Sequence, residues 1–119
     1  MIEKIVLDYL STALAVGSTP FPVFMEVPEQ PTPKSFVVIE KTGSSMINHV
    51  PTANIAIQSY GATLLEAAQL NETVKLQMSN IITLAAIGSC KLDTDYNFTN
   101  TATKQYRYQA VFRITYMEV

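Results

Sequence analysis

The sequence predicts an α+β fold in which two helices pack on one face of a mixed or antiparallel sheet of about five strands. Two segments repeat their apolar residues at the helical spacing, and the remaining segments alternate at the spacing of two that is typical of strands. The predicted order is α-β-β-β-α-β-β. With 119 residues, of which 48% are hydrophobic, the chain is expected to form a single domain over residues 1–119.

The first helix is predicted over residues 2–16. Its apolar positions begin at Ile2 and recur three or four residues apart as far as Ala13, while polar and charged residues occupy the other side. Gly17 is the expected C-terminal cap, and the prolines that follow prevent the helix from continuing. The pattern indicates an amphipathic helix that packs on a sheet.

Two short segments rich in β-forming residues, 23–27 and 35–41, come next. The connection between them, residues 28–33, contains three prolines and is therefore kept out of the sheet. We predict two antiparallel strands joined by an exposed loop. The second strand is apolar on both faces, which is typical of a central strand that is covered on both sides.

Residues 42–51 are rich in turn-forming residues and have no clean period, so they are predicted to form a long loop. The loop also contains Met46, Ile47 and Val50, which a lone subunit would gain little by exposing. We therefore expect it to be mobile in the free subunit and to become ordered against a neighbouring chain. The candidate contact residues are Ser44, Ser45, Met46, Ile47, Asn48 and His49.

A third strand is predicted over residues 53–58, where apolar residues alternate, and Gly61 ends it. Thr63 and Glu66 then fit a capping box at the start of a helix that runs to about Asn80. The apolar stripe of this helix is predicted to consist of Leu64, Ala67, Ala68, Val74, Met78 and Ile81. The residues predicted to point mostly outward are Asn71, Glu72, Lys75 and Gln77.

The chain ends with two more alternating segments, 89–98 and 105–116, which predict a final hairpin with its turn near residues 97–103. Both helices are expected on the same face of the sheet. The strand residues expected beneath them are Ile55, Ile57, Tyr108 and Phe112, together with either Val37 or Phe36. The alternation alone leaves that last choice open.

The charge balance and composition exclude several kinds of partner. Eight lysines and arginines against ten aspartates and glutamates leave no excess positive charge for a phosphate backbone, so no nucleic-acid recognition is predicted. No apolar run approaches the roughly 20 residues that span a bilayer, and the N-terminal residues do not resemble a signal peptide, so no membrane partner is predicted. The single cysteine, Cys90, cannot form an internal disulfide, which is typical of a reduced, cytosolic setting.

The sequence contains no set of residues typical of an enzyme. His49, the one histidine, lies in the predicted loop without a nucleophile motif, and Cys90 lies on the apolar face of its strand, where an inert thiol is expected. One histidine and one cysteine supply no zinc site, and Asp93 with Asp95 is interpreted as a solvated strand face. We predict no catalytic residue, no metal and no cofactor.

One segment carries a family resemblance: Ala53 to Gly61, followed by Thr63, Glu66 and Ala67. It resembles the strand-to-helix junction of phage tail-terminator (tail-completion) proteins, in which a strand ends near Gln-x-Tyr-Ala or Gly and a Thr-x-x-Glu-Ala helix follows. The surrounding order is also similar, with an N-terminal amphipathic helix, a strand pair, a long loop and a Tyr-rich last strand. The resemblance covers most of residues 2–116.

The resemblance implies a structural protein of virion assembly, without catalytic residues. Family members assemble as hexameric rings on the tail tube, stop its polymerisation and provide the surface to which the head docks. The implied partners are further copies of the chain, the tail-tube protein and a head–tail connector protein, first in the host cytoplasm and then in the virion tail or neck. Two alternatives stay open: another ring protein of the phage neck, such as a head-closure protein, and a ferredoxin-like dimeric module that binds a ligand or acts as a small enzyme.

A closed ring requires a heterologous interface, in which one patch of a subunit meets a different patch of the next. Arg107 and Arg113, two of the three cations in residues 92–119, are the candidates for one patch. The acidic candidates for the other patch are Glu26, Glu29, Glu40, Asp93 and Asp95. A second interpretation pairs these charges within one subunit, across the final hairpin.

Overall fold

The computed structural model of the chain describes residues 1–15, 21–29 and 34–117. The predictions of a cap at Gly17 and of a loop over residues 30–33 lie outside the described residues. A short 3₁₀ turn, Ile81–Thr83, follows the second helix. The remaining elements are α1 (Ile2–Ala13), β1 (Val23–Phe24), β2 (Phe36–Ile47), β3 (Val50–Gly61), α2 (Leu64–Ser79), β4 (Ile87–Asn97) and β5 (Tyr106–Tyr116).

The five strands form one mixed sheet in the order β1-β2-β3-β5-β4, which confirms the predicted α+β class and element order. The prediction of an antiparallel first pair is wrong, because β1 is only two residues long and runs parallel to β2. Parallel neighbours require a connection that returns the chain to the same end of the sheet. The residues between Phe24 and Phe36 provide that length, whereas a tight hairpin turn would not.

The second half of the chain forms a split β-α-β unit. Strands β3 and β4 are both antiparallel to β5, so they are parallel to each other, with α2 as the crossover and β5 inserted between them. Strand β2 lies antiparallel on the other side of β3. Because α1 precedes β2 in the chain, the four long strands and two helices follow the connectivity of a ferredoxin-like sandwich in circularly permuted order.

Both helices pack on one face of the sheet, as predicted. The open choice in β2 is resolved in favour of Val37 and Ile39, which join the central cluster, whereas Phe36 and Val38 point to the other face. Among the described residues only the first of these faces carries helices. Phe36 and Val38 are nonetheless buried on the other face, in a cluster with Tyr60, so β2 is buried on both faces as predicted but without a second helix layer. The core residues contributed by α1 and by the two central strands are Ile2, Val6, Leu10, Ala53, Ile55, Ile57, Ala110, Phe112, Ile114 and Tyr116.

The predicted loop over residues 42–51 is instead the end of a β-hairpin. Strand β2 continues to Ile47, β3 begins at Val50, and the two are joined by a two-residue turn at Asn48 and His49. Both turn residues have positive φ, 51° and 66°, as a type I′ turn requires. Asn tolerates that conformation well, but the pair lacks the glycine that usually reveals such a turn in a sequence.

The predicted N-cap of α2 at Thr63 is confirmed, and the reciprocal bond of Glu66 goes to the residue before the cap. The Thr63 hydroxyl accepts a hydrogen bond from the Glu66 amide at 3.2 Å, and the Glu66 carboxylate accepts one from the Ala62 amide at 3.1 Å. Two predictions about the faces of this helix are wrong. Asn71 is 1% exposed rather than outward, and Leu64 is 40% exposed rather than part of the apolar stripe.

Candidate assembly interface

The helix-free face of the sheet carries an aromatic cluster at one end. The ring of Phe36 stacks on that of Tyr60 with their centroids 4.4 Å apart and 9° between the ring planes. Phe24 meets Phe36 edge to face at 6.1 Å. Phe36 and Tyr60 are almost completely buried although no helix covers this side. The cluster therefore gives the uncovered face its own small core.

A chain of side-chain hydrogen bonds crosses the same face from β4 to β3. Gln109 donates to the Tyr96 hydroxyl and accepts from the Gln58 amide at 2.9 Å. The Gln58 carbonyl oxygen accepts from the Tyr60 hydroxyl at 3.1 Å, and that hydroxyl accepts from Arg107 Nη1 at 3.0 Å. The buried side chains of Gln58 and Gln109 therefore both have hydrogen-bond partners, which offsets the cost of burying polar groups on the helix-free face.

Arg107 is engaged within the subunit. Its Nε donates to the Phe98 carbonyl oxygen at 2.7 Å, and its guanidinium lies 4.4 Å from the centroid of the Phe98 ring. These contacts fall across the final hairpin, as the second sequence interpretation proposed, but the partners are a carbonyl group and aromatic rings rather than a carboxylate. Arg107 therefore contributes to the packing of this face.

Arg113 has a different environment. It lies on the helix-free face directly opposite Lys91 in the register of β4 and β5, and both side chains are exposed. Neither forms a salt bridge with a carboxylate of the described residues. Like charges directly opposite each other destabilise a strand pair unless a nearby charge compensates. The pair forms a cationic patch for which the described part of the subunit provides no counterion, and we call it the Lys91–Arg113 patch.

The acidic candidates are divided between the two sides of the sheet. Asp95 lies on the helix side, where its Oδ2 accepts from Lys75 Nζ at 3.1 Å and from Asn71 Nδ2 at 3.0 Å. The side-chain hydrogen bonds of Lys75 to Glu72 and then to Asp95 raise the pKa of the Lys75 ammonium. Asp95 is thus occupied within the subunit, on the face opposite the arginines.

The other acidic candidates remain accessible. Glu40 is exposed on β2, and Asp93 is exposed where the register of β4 shifts between Leu92 and Thr94. Glu26 and Glu29 are exposed in the segment after β1. None of these four carboxylates takes part in a salt bridge among the described residues, so each is available to a neighbouring chain.

The candidate contact segment 44–49 lies on the β2–β3 hairpin. Ser44 and Ser45 pair with Ala53 and Thr52 at the border of the sheet, and Asn48 and His49 form the exposed turn. Strand β5 pairs with β3 only as far as Thr52, so residues 46–51 pair with each other but with no third strand of the described chain. We call residues 46–51 the hairpin tip. The side chains of Met46 and Val50 in this tip are 65% and 43% exposed.

The groups considered for catalysis are not brought together. His49 is in the exposed turn, whereas Cys90 is half-buried against the central cluster, and burial raises the pKa of its thiol to about 11. Such a thiol is almost entirely protonated at neutral pH. Within residues 1–15, 21–29 and 34–117, no three His, Cys, Asp or Glu side chains are grouped so that they could hold a metal ion. No helix in the described part of the chain is long and apolar enough to cross a membrane.

An apolar groove of about 610 Å³ lies beside α1 and the end of α2. Tyr9 crosses it and donates from its hydroxyl to the Gln77 carbonyl oxygen at 2.7 Å, and burial raises the pKa of this tyrosine. The remaining residues lining the groove are Ile5, Asp8, Thr12, Ala13 and Leu84. It is the feature of the described structure that best fits the alternative of a ligand-binding module.

No protein-family model matches this chain, and a search of curated proteins finds no match.

Proposed function

We propose that the chain is a structural assembly protein that forms a homomeric ring on the end of a phage tail tube. The supporting observation is that one subunit leaves two unlike surfaces unsatisfied, the apolar hairpin tip and the Lys91–Arg113 patch. A closed ring uses two such different surfaces, one from each neighbour. The motif from Ala53 to Ala67, through the family resemblance that it carries, supports the tail tube as the proposed site of assembly.

The proposed ring has two rims of different chemistry. One rim binds the last ring of the tail-tube protein, and the other does not offer the surface that a further tube subunit would need, so polymerisation stops. That second rim is then free to bind a head–tail connector protein. In this mechanism the chain acts through shape and contact alone, and the proposal assigns it no catalytic step.

Native mass spectrometry and negative-stain electron microscopy of the purified protein test the ring. We expect a closed assembly of one stoichiometry, and addition of the protein to polymerising tail-tube protein is expected to shorten the tubes. Capture on a connector without any effect on tube length would instead support a neck or head-closure role. A stable dimer that binds a small molecule in the groove beside Tyr9 would support the ferredoxin-like module.

The hairpin tip provides a matched pair of variants. Met46→Ser removes an apolar side chain that is 65% exposed in the tip, and Leu76→Ser removes one that is 62% exposed on α2. We expect the first to weaken the assembly and the second to leave it intact, because exposed apolar side chains gain free energy only where a partner covers them. Equal assembly of both variants would remove the tip from the interface.

Reversing the charge of Arg113 is expected to disrupt the ring without unfolding the subunit. Arg113→Glu places a carboxylate opposite Lys91, which relieves the like-charge pair within the subunit but repels an acidic neighbour. At a concentration where both proteins are monomeric, thermal unfolding should therefore show a subunit at least as stable as the wild type, while native mass spectrometry at higher concentration shows loss of the ring. A reversal such as Glu40→Lys, which supplies the opposite charge on the neighbour, should partly restore it. An intact Arg113→Glu ring would mean that the Lys91–Arg113 patch is not part of the interface.

A further inference from the structure

We propose that the ring is joined by backbone pairing, in which β4 of one subunit lies antiparallel to the free edge of β2 in a second copy of the chain. This inference rests on the proposed ring and specifies its interface. Strand β4 forms one edge of the sheet over Ile87–Asn97. At the other edge, β1 covers only Val37 and Val38, and no described strand pairs with the outer side of β2 from Ile39 to Ile47.

The strand directions permit this pairing in a head-to-tail assembly. Strands β2 and β5 run one way, and β3 and β4 run the other. A second copy placed beside β4 in the same orientation therefore presents its β2 antiparallel to β4. If each subunit is rotated by the same angle relative to the one before it, antiparallel pairing continues one sheet from subunit to subunit. The two contacting edges, β4 and β2, are different, as a cyclic ring requires.

The free backbone groups of β2 follow from the turn. In a two-residue hairpin the closing residues, here Ile47 and Val50, hydrogen-bond to each other, and the direction of the backbone groups alternates along the strand. The backbone N–H and C=O groups of Ser45 therefore point toward β3, while those of Met46 and Ser44 point outward. The register of β2 shifts by one residue between Lys41 and Gly43, so the alternation reverses there and the backbone groups of Val37 are expected to face outward. The amide of Val37 does donate outward, to the Pro22 carbonyl oxygen at 2.9 Å, which agrees with this assignment.

The free groups of β4 follow in the same way. The amide of Phe98 donates to the Arg107 carbonyl oxygen at 2.9 Å, so its backbone groups face β5. By alternation Tyr96 also faces β5, and Asn97 and Asp95 direct their backbone groups outward. A row of unpaired donors and acceptors at a sheet edge is a template for another extended strand.

Pro51 indicates which side of the hairpin is open to pairing. It lies on β3 opposite Met46, where its backbone faces away from β2, one residue past Thr52, at which the pairing of β3 with β5 ends. Because proline has no N–H, that side of the hairpin tip lacks a donor and is protected from pairing. The β2 side carries no proline between Phe36 and Ile47. The chain therefore blocks one edge of the hairpin and leaves the other free.

A second copy is the occupant that these features favour. The chain presents two free edges of similar length, eleven residues in β4 and the stretch from Ile39 to Ile47 in β2, and their directions are complementary. Each edge supplies the extended strand that the other requires. A foreign peptide would satisfy only one edge and would leave the other exposed.

Proline substitutions at outward-facing amides test the pairing. Ser44→Pro removes a donor from the β2 edge, and Asn97→Pro removes one from the β4 edge. The matched controls, Ser44→Ala and Asn97→Ala, change the same side chains and keep the N–H. We expect both proline variants to be folded monomers by circular dichroism and native mass spectrometry, and both alanine variants to form the wild-type ring. Rings from both proline variants would overturn the inference while leaving the ring itself in place.

Mixing the two proline variants gives the sharper result. Ser44→Pro keeps an intact β4 edge and Asn97→Pro keeps an intact β2 edge, so the mixture has one competent interface and is expected to stop at a 1:1 heterodimer. Failure to form this heterodimer would overturn the head-to-tail pairing. A β4–β4 dimer would also overturn it, and would be recognised because Asn97→Pro abolishes assembly while Ser44→Pro does not.

Hydrogen exchange of the wild-type protein keeps the inference testable if a proline variant fails to fold. Dilution to the monomer should speed exchange at the outward amides of Ser44, Met46, Asp95 and Asn97, relative to the assembled protein. Unchanged exchange at these four amides, in a protein that does form rings, would overturn the edge pairing and leave the proposed function standing. A protein that forms no ring at any concentration would instead overturn the proposed function.

Discussion

Replacing Ile57 with alanine is expected to lower the free energy of unfolding by about 2–5 kcal/mol. Ile57 has no exposed surface and lies on β3, between β2 and β5 and beneath the helices. Truncation removes three methyl or methylene groups and leaves a cavity that the two neighbouring strands cannot close, since their backbones are fixed by the ladder hydrogen bonds. Phe112→Ala is expected to have a cost in the same range, because Phe112 is 2% exposed in the same cluster. Urea denaturation followed by circular dichroism measures both.

Leu65→Ala is the control for these two variants. Leu65 is 67% exposed in the first turn of α2, so its truncation loses little buried surface and keeps a good helix former. We expect a change within about 0.5 kcal/mol. If Ile57→Ala and Phe112→Ala were as stable as Leu65→Ala, the assignment of these residues to the core beneath the helices would be wrong.

The parts of the fold that the sequence predicts are those where one periodicity acts over a long segment. Strands β3 and β5 alternate apolar and polar residues along most of their length, and the register follows because a slip by one residue would turn every apolar side chain away from the helices. The start of α2 is predicted equally well, since the Thr63 hydroxyl accepts from a first-turn amide of the helix and Glu66 accepts from the Ala62 amide just before it, both of them local contacts.

The errors occur where a long-range contact decides the structure. The polarity of Asn71 predicts an outward side chain, but Asp95, which is distant in sequence, accepts a hydrogen bond from its side-chain NH₂ group and so offsets part of the cost of its burial. The Asn71 Oδ1 atom has no partner among the described residues. Similarly, the path of the connection between β1 and β2 decides on which side of β2 the first strand pairs and that β1 runs parallel to β2. The residues of the two strands do not decide it. Local periodicity contains neither piece of information.

The interface itself stays a prediction, and the positions of its candidate residues depend on contacts that the sequence does not contain. The scarcity of cations in residues 92–119 makes Arg113 a candidate, but its position opposite Lys91 follows only from the register of β4, which contains an irregularity between Leu92 and Thr94. The composition around His49 predicts a mobile loop, whereas the hairpin that forms there depends on a two-residue turn that no glycine marks. The free edges of β2 and β4 are properties of strand order, which the periodicity of a single strand does not contain.

Adding a single methyl group at Gly61 is expected to destabilise the protein by about 1–3 kcal/mol or more. A Cβ at this position would lie 2.5 Å from the Ala67 amide nitrogen and 3.0 Å from the Glu66 carbonyl carbon. These are backbone atoms in the first turns of α2, so the clash cannot be relieved by rotating a side chain. The helix must shift away from the end of β3, which disturbs the N-cap at Thr63 as well as the packing beneath it.

Gly43→Ala is the matched control for Gly61→Ala. Both glycines lie in strands, but a Cβ at Gly43 would meet only the Asn54 side chain, at an ordinary contact distance of 3.7 Å. The same methyl group should therefore be nearly neutral at position 43, and it reduces the entropy of the unfolded chain equally at both positions. Thermal unfolding is expected to show a clear loss of stability for Gly61→Ala and little change for Gly43→Ala. Equal midpoints for the two variants would show that α2 does not approach the end of β3 as closely as the structure places it.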